Sequence, residues 1–150
     1  MIKMKSFFGL LLMLFITTSE TFAAEIFNPM SNKCLNVYAA KTNDGANVTI
    51  YECNNHQAQK WEFTTNGELH NPMSGKCLNV YAAKTNDGAN VTIYTCNNHL
   101  AQKWVFTTSG ELQNPMSGKC LNIWKAYTYN GANVVMYTCN DHRAQKWVIR

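Results

Sequence analysis

The chain has 150 residues, six of them cysteine, and a formal net charge of +4 at pH 7. Its basic residues are spread thinly and form no cationic run, so the composition gives nucleic-acid binding little support. The length is sufficient for one domain with a hydrophobic core.

The first 23 residues have the pattern of a secretory signal peptide. Lys3 and Lys5 precede an apolar run over residues 7–16, and small residues follow near Ala23. The run is far shorter than the roughly 20 residues that a transmembrane helix needs. We therefore predict cleavage after Ala23 and export of residues 24–150, with no membrane span. The exported domain would be extracellular, or periplasmic if the source is Gram-negative.

One nine-residue phrase occurs three times in the remaining chain, with a period of 43 residues. Its copies are CNNHQAQKW at 53–61, CNNHLAQKW at 96–104 and CNDHRAQKW at 139–147. The similarity extends on both sides of the phrase and divides the chain into three repeats, at 24–66, 67–109 and 110–150. We expect no separate catalytic domain, because the repeats occupy all of the sequence after the signal peptide.

Hydrophobic alternation predicts β-strands within each repeat. In the first repeat, residues 33–39 and 47–53 alternate and are separated by the turn-rich segment KTNDGA. A short strand before NPM and another at KWEFTT bring the count to about four. The alternation places Asn36, Thr49 and Tyr51 on an outward face. A propeller needs about four blades to close, so three units predict an all-β fold that shares one core.

The six cysteines indicate disulfides in an exported chain. One pair falls in each repeat, with a separation of 19 residues. The repeat symmetry is satisfied most simply by bridges within each repeat, namely Cys34–Cys53, Cys77–Cys96 and Cys120–Cys139. Each bridge closes a loop of about 20 residues and contributes on the order of 3 kcal/mol on the chain-entropy model.

The repeats resemble a known family. KCLNV, a turn-rich loop, NVTIYxC and CNNHxAQKW, which ends in the QxW motif, are similar to the repeat of ricin B-chain-type (QxW) lectins. The resemblance spans all three repeats and includes the cysteine spacing. It implies a β-trefoil with pseudo-threefold symmetry, and its implied role is the binding of galactose-type or related sugars. The tryptophans of the motif, Trp61, Trp104 and Trp147, are expected in the core.

The resemblance implies up to three shallow carbohydrate sites. Each would combine a polar residue two positions after the first cysteine, an aromatic ring for stacking on the sugar, and the QxW glutamine. The strand alternation adds a threonine in two repeats. The candidate contacts are Asn36, Thr49, Tyr51 and Gln59 in the first repeat, Asn79, Thr92, Tyr94 and Gln102 in the second, and Asn122, Tyr137 and Gln145 in the third.

Two positions depart from the family pattern in every repeat. An asparagine replaces the family's aspartate, and Ala58, Ala101 or Ala144 replaces the asparagine before the QxW glutamine. A histidine recurs three residues after each second cysteine, at His56, His99 and His142. Cys53-x-x-His56 has the spacing of a zinc site, but oxidised cysteines are not ligands. We therefore expect turn or pocket histidines and neither metal nor cofactor.

The third repeat differs from the other two. Trp124 replaces Tyr38, Val135 replaces Thr49, and the loop after Trp124 is altered. The sequence thus predicts that the third site prefers another ligand or is silent. Asn47 and Asn90 match the N-glycosylation sequon, which matters only in a eukaryotic source.

The sequence favours a lectin that binds glycans, including those of cell-surface glycoconjugates. No pairing of carboxylates and no nucleophile–base set indicates catalysis, so we predict a protein that is not an enzyme. The alternative is a trefoil that binds protein, either as the cell-binding subunit of a toxin or adhesin or as an inhibitor. A weaker alternative is an accessory module of a separate glycan-active enzyme.

Overall fold

The structure is a computed structural model that describes residue 14 and residues 22–150. The signal peptide predicted over residues 1–23 therefore lies almost entirely outside the described residues. Among the helices that the structure does describe, none has the length and apolar character needed to cross a membrane.

Twelve short strands make up the framework of residues 22–150, four for each repeat as the sequence predicts. They are β1 (Ile26–Asn28), β2 (Lys33–Val37), β3 (Val48–Glu52), β4 (Glu62–Phe63), β5 (Leu69–Asn71), β6 (Lys76–Val80), β7 (Val91–Thr95), β8 (Val105–Phe106), β9 (Leu112–Asn114), β10 (Lys119–Ile123), β11 (Val134–Tyr137) and β12 (Val148–Ile149). The short 3₁₀ segments are Tyr38–Ala40, Gln57–Gln59, Tyr81–Ala83, Leu100–Gln102, Trp124–Ala126 and Arg143–Gln145.

The strands form three antiparallel four-stranded sheets, in the orders β12-β1-β2-β3, β4-β5-β6-β7 and β8-β9-β10-β11. Each sheet takes three strands from one repeat and one from the repeat before it. The last strand closes the circle, because Ile149 pairs with Ile26 and Val148 with Phe27. This closure confirms the predicted all-β fold with three units, and it ties the end of the third repeat to the start of the first.

One hydrophobic core fills the centre of the molecule. It is built from the inward residues of the long hairpins, such as Leu35, Val48 and Ile50, and their counterparts in the other repeats. Trp61 is 2% exposed and donates its indole N–H to the carbonyl of Leu35 at 3.1 Å. Trp104 makes the same bond to Leu78. The predicted core position of the QxW tryptophans is confirmed, and each buried indole has the hydrogen-bond acceptor that it needs.

The NPM asparagines link each repeat to the one before it. Asn71 is fully buried, and its amide donates to the carbonyls of Gln57 at 3.0 Å and Lys60 at 2.8 Å. Asn28 makes the equivalent bonds to Arg143 and Lys146 of the third repeat. The QxW turn of each repeat is therefore held in place by the following repeat.

Three disulfides join the predicted partners, Cys34–Cys53, Cys77–Cys96 and Cys120–Cys139. Each bridge connects the second strand of a repeat to a cysteine one or two residues beyond the third strand. The symmetric pairing expected from the repeat is confirmed. Because the sulfurs are oxidised, Cys53 and His56 do not form a thiolate zinc site.

The strand predicted over residues 33–39 is shorter than expected, because it ends at Val37. Ala39 and Ala40 both have left-handed backbone conformations, with φ of 52° and 51°. A non-glycine residue pays roughly 1 kcal/mol or more for that conformation. The turn leaves Tyr38 49% exposed. The same turn recurs in the other repeats, so each repeat presents an aromatic ring at this point.

Candidate functional site

An open pocket recurs at one place on the outer surface of every repeat, beside the QxW turn. The first, second and third pockets, named after their repeats, have volumes of about 410, 440 and 320 Å³. Volumes of this size are typical of small-molecule sites. All three pockets are shaped by the same elements, which are the turn after the second strand, the end of the third strand and the CNNHxA loop.

Most of the residues that line the three pockets occupy equivalent positions in the three repeats. Asn36, Tyr38, Ala39, Ala40, Tyr51, Asn54, His56, Ala58, Asn130 and Gly131 line the first. Asp44, Gly45, Asn79, Tyr81, Ala82, Ala83, Tyr94, Asn97, His99 and Ala101 line the second. Asn122, Trp124, Lys125, Ala126, Tyr137, Asn140, His142 and Ala144 line the third.

Side chains of the CNNHxAQ loop hold its own backbone in place. Asn54 Oδ1 accepts from the N–H of His56, and His56 Nδ1 accepts from the N–H of Ala58, both at 3.0 Å. Gln59 accepts from the N–H of Asn54 at 3.0 Å and donates to the carbonyl of Glu52 at 2.8 Å. The recurrence of this phrase in all three repeats thus has a structural reason, because most of its residues form hydrogen bonds or a disulfide that hold the loop in place.

The histidine of the loop has a defined tautomer. Because His56 Nδ1 accepts a hydrogen bond from a backbone N–H, the neutral ring carries its proton on Nε2. His99 and His142 make the same bond, to Ala101 and Ala144. The prediction of a turn histidine beside the pocket is confirmed. Each pocket is therefore lined by an imidazole with a free N–H donor.

Two aromatic rings and an asparagine line the first pocket. Tyr38 and Tyr51 are 49% and 40% exposed, whereas Asn36 is 8% exposed. The amide nitrogen of Asn36 donates to the carbonyl of Val37 at 3.1 Å, which leaves its carbonyl oxygen as an acceptor. The Lys41 ammonium lies 5.8 Å from the centroid of the Tyr38 ring, within cation–π range. The tyrosine and asparagine positions expected from the sequence are brought together here.

The glutamines do not line the pockets. Gln59, Gln102 and Gln145 are fully buried, and both ends of each amide are bonded to the backbone of their own loop. The expectation that they contact a ligand is not supported by this placement. Their amides are already used to stabilise the loop.

The threonines are also buried rather than presented to a ligand. Thr49 and Thr92 are each 2% exposed and line none of the three recurring pockets. Thr49 contributes instead to a separate pocket that it lines with Lys41 and Asn47. The strand alternation placed them on an outward face, and the neighbouring repeat covers that face near the symmetry axis, where Thr49 bridges to Asn133. The substitution of Val135 for threonine therefore does not remove a hydroxyl from the third of the recurring pockets.

Sequence reasoning missed the polar groups that reach two pockets from a neighbouring repeat, Asn130 in the first pocket and Asp44 in the second. Asp44 lies in the hairpin turn of the first repeat and lines the second pocket. It accepts from the backbone N–H of Thr95 at 2.7 Å and forms an ion pair with Lys76 at 3.1 Å. The hydrogen bond from Lys76, aided by Thr95 and opposed by desolvation, lowers the pKa of Asp44 below its ordinary value. The carboxylate is therefore ionised at neutral pH.

The third pocket is smaller because Trp124 covers part of its wall. A Cβ at position 88 would lie 3.9 Å from the Trp124 ring, so the indole lies over Gly88. Asp87 makes the same bonds as Asp44, to Thr138 and Lys119, but it does not line this pocket. Lys125 replaces one alanine of the turn and adds a cation. The third pocket thus differs in shape and lining from the other two, whereas a different or absent ligand at this site stays a prediction.

The family model described as the ricin-type β-trefoil lectin domain matches residues 22–147. The chain therefore belongs to the ricin-type β-trefoil lectin family, as the sequence resemblance predicts. No curated protein sequence matches it.

Solved structures confirm the β-trefoil. ThreeFoil, a designed threefold-symmetric protein, is 35% identical, with a TM-score of 0.79 over 84% of this chain and 96% of that protein. A non-toxic homologue of type II RIPs from Momordica charantia, solved in complex with α-methyl-D-galactoside, is 27% identical, with a TM-score of 0.74 over 85% of this chain and 46% of that protein. An exo-β-1,3-galactanase from Clostridium thermocellum is 22% identical, with a TM-score of 0.81 over 87% of this chain, which matches 30% of that enzyme's length.

Proposed function

We propose that this domain is a secreted carbohydrate-binding lectin whose pockets bind pyranose sugars. The observation that carries the proposal is the recurrence, at one place in every repeat, of exposed aromatic rings beside an asparagine and a histidine N–H donor. A pyranose has a face of C–H groups that stacks on an aromatic ring and a rim of hydroxyls that accept and donate hydrogen bonds. The pockets offer both kinds of contact.

The proposed contacts differ from those expected from the sequence. In the first pocket, Tyr51 and Tyr38 would provide the stacking surface. Asn36 would accept from a sugar hydroxyl through its free carbonyl oxygen, and His56 would donate from Nε2. The tyrosine and asparagine roles are retained from the family resemblance, whereas His56 takes the place of the buried Gln59.

Galactose-type sugars are the first ligand class to test. The Momordica charantia relative was solved with α-methyl-D-galactoside, and this chain has the same fold and family. The disulfides and the predicted signal peptide support an exported protein that meets glycans outside the cell. The proposed role is binding alone.

Multivalency is part of the proposal. Each pocket is open, and a single sugar in such a pocket binds weakly because much of it stays in water. When one pocket of this rigid domain is bound to a dense glycan surface, the effective concentration of sugar near the other two pockets is higher than that of free sugar in solution. We therefore expect clustered galactosides to be bound far more tightly than a monosaccharide.

Retention on galactoside-coated beads tests the proposal. Wild-type protein should be retained and then eluted by millimolar methyl α-D-galactoside. Tyr51→Ala combined with Tyr94→Ala should abolish retention, whereas Tyr129→Ala, which removes an exposed ring outside the three recurring pockets, should not. Retention that free sugars do not displace, or cell binding that persists with both substitutions, would instead support the alternative of a protein-binding trefoil.

A further inference from the structure

The hairpin turn between the second and third strands of each repeat crosses to the next repeat. The turn of the first repeat brings Asp44 to the end of strand β7, where the carboxylate accepts from the backbone N–H and the hydroxyl of Thr95 at 2.7 and 3.0 Å. Lys76 on strand β6 forms an ion pair with the same oxygen, Oδ1. The side chain is 40% exposed and lines the second pocket. The second pocket is therefore built from two repeats.

The corresponding residue of the first pocket is an amide. Asn130, from the third repeat, accepts from the backbone N–H of Glu52 at 2.8 Å and lines the first pocket. Glu52 stands where the second repeat has Thr95. A carboxylate at position 130 would lie close to that of Glu52 and be repelled by it, whereas an amide is tolerated. The first and second pockets have tyrosines at the same positions, but only the second is lined by a carboxylate from a neighbouring repeat.

We propose that Asp44 is a ligand contact, supplied by the neighbouring repeat, that makes the second pocket the strongest of the three for sugars. This inference rests on the proposed carbohydrate-binding function. The family's usual aspartate position is occupied by Asn79, so the pocket would otherwise offer only neutral acceptors. Asp44 restores a carboxylate from a different part of the chain.

The carboxylate has capacity left for a ligand. Oδ1 of Asp44 accepts from the N–H of Thr95 and from Lys76, whereas Oδ2 shares only the Thr95 hydroxyl, at 3.0 Å. An ionised carboxylate has about four acceptor sites, so Oδ2 can accept a further hydrogen bond. The lowered pKa of Asp44 keeps the group ionised at neutral pH. A charge-assisted bond to a sugar hydroxyl is roughly twice as strong as a neutral one.

The ligand class follows from the two groups of opposite character in this pocket. His99 presents an N–H donor, because its Nδ1 is occupied by Ala101, and Asp44 presents a charged acceptor. The pocket should select a neutral pyranoside that has one hydroxyl to donate to the carboxylate and another oxygen to accept from the imidazole. Loss of the donating hydroxyl should weaken binding at the second pocket more than at the first.

Variants in which only one pocket is left unaltered test the inference. Binding of methyl α-D-galactoside to them is measured by isothermal titration calorimetry. With Tyr51→Ala and Tyr137→Ala, only the second pocket keeps both of its aromatic rings, Tyr81 and Tyr94. Adding Asp44→Asn to that background should raise Kd about five-fold. The fold should survive, because Asn130 makes the same backbone bond at the equivalent position of the first pocket. Thr42→Ala, in the same turn and exposed but not lining the second pocket, is the matched control.

The reciprocal substitution, which places a carboxylate beside the first pocket, should strengthen sugar binding there. With Tyr94→Ala and Tyr137→Ala as background, Asn130→Asp combined with Glu52→Thr recreates the arrangement of the second pocket and should lower Kd by a similar factor. If both exchanges leave Kd unchanged while the galactoside still binds, Asp44 is not a ligand contact and the inference fails on its own. If the parent variants bind no sugar and neither does wild type, the proposed function fails instead.

Discussion

The side-chain amide of Asn90 donates to the side-chain carbonyl of Asn47 at 2.9 Å, across the boundary between two repeats. Asn47 in turn donates to Asn133 at 2.8 Å, and Asn133 donates to Asn90 at 2.9 Å. The three amides close a ring of hydrogen bonds between the repeats. Asn47 and Asn90 are also the two sequon asparagines, and an attached glycan would replace one of the two hydrogens on the amide nitrogen that donates in the ring.

Breaking this ring should destabilise the fold. Asn90→Ala leaves the carbonyl of Asn47 without its donor and the amide of Asn133 without its acceptor. Unpaired buried polar groups cost about 1–3 kcal/mol each, and the ring residues are only half-buried, so we expect a loss of about 1–3 kcal/mol in the free energy of unfolding. Urea denaturation measures it, with Thr85→Ala as the exposed control. An Asn90→Ala variant as stable as wild type would show that the ring contributes nothing.

The long hairpins, the disulfides and the core tryptophans were predictable from the sequence because they depend on contacts within one repeat. Alternation identifies the inward residues of a hairpin, and equal cysteine spacing identifies the bridge. The positions of Tyr51 and Tyr94 followed for the same reason. Each of these features is repeated with a period of 43 residues and needs no knowledge of how the repeats are arranged.

Most of the features that sequence reasoning missed arise between repeats. The offset of each sheet by one strand, the burial of Thr49 by its neighbour and the arrival of Asp44 in the second pocket depend on packing around the symmetry axis. Alternation assigns a residue to a face of its strand, but it does not show what covers that face. The burial of Gln59 was missed because the loop's own backbone, rather than a ligand, occupies its amide.

Glutamine and tyrosine substitutions should separate stability from binding. Gln102→Ala removes the partners of the Asn97 N–H and the Thr95 carbonyl, so we expect a loss of about 2–4 kcal/mol in unfolding free energy. Tyr94→Ala removes an exposed ring and should change stability by about 0.5 kcal/mol or less. Galactoside affinity, measured at low temperature where both variants are folded, should fall only for Tyr94→Ala. The reverse pattern would place the glutamine in the site.

Acid should weaken the links between repeats. The pKa values of Asp44 and Asp87 are lowered in the folded state from their ordinary value of 3.8, first by hydrogen bonds from Lys76 and Lys119. A carboxyl with a depressed folded-state pKa stabilises the fold fully above the unfolded value, and this contribution is lost as pH falls through the folded value. The stability difference between wild type and Asp44→Asn/Asp87→Asn should therefore be constant near neutral pH and shrink below about pH 3.8. A difference that persists at pH 2 would exclude the linkage.

The third pocket should bind the same galactoside weakly until Trp124 is reduced in size. In a background of Tyr51→Ala and Tyr94→Ala, we expect little binding by isothermal titration. Adding Trp124→Tyr gives this pocket the ring of the other two and uncovers Gly88, so binding should rise several-fold. The corresponding loss from Tyr137→Ala alone in wild type should be small. Three equivalent sites in wild type would contradict this account.

The central claim, that the tyrosine-lined pockets bind carbohydrate, is tested most directly by nuclear magnetic resonance with ¹³C-labelled tyrosine rings. Titration with methyl α-D-galactoside should shift the ring resonances of Tyr51 and Tyr94 in a saturable way, with the larger effect at lower concentration for Tyr94. The resonances of Tyr129, outside the pockets, should stay in place. If neither pocket tyrosine shifts with this sugar or with other galactose-type pyranosides at tens of millimolar, the account is contradicted.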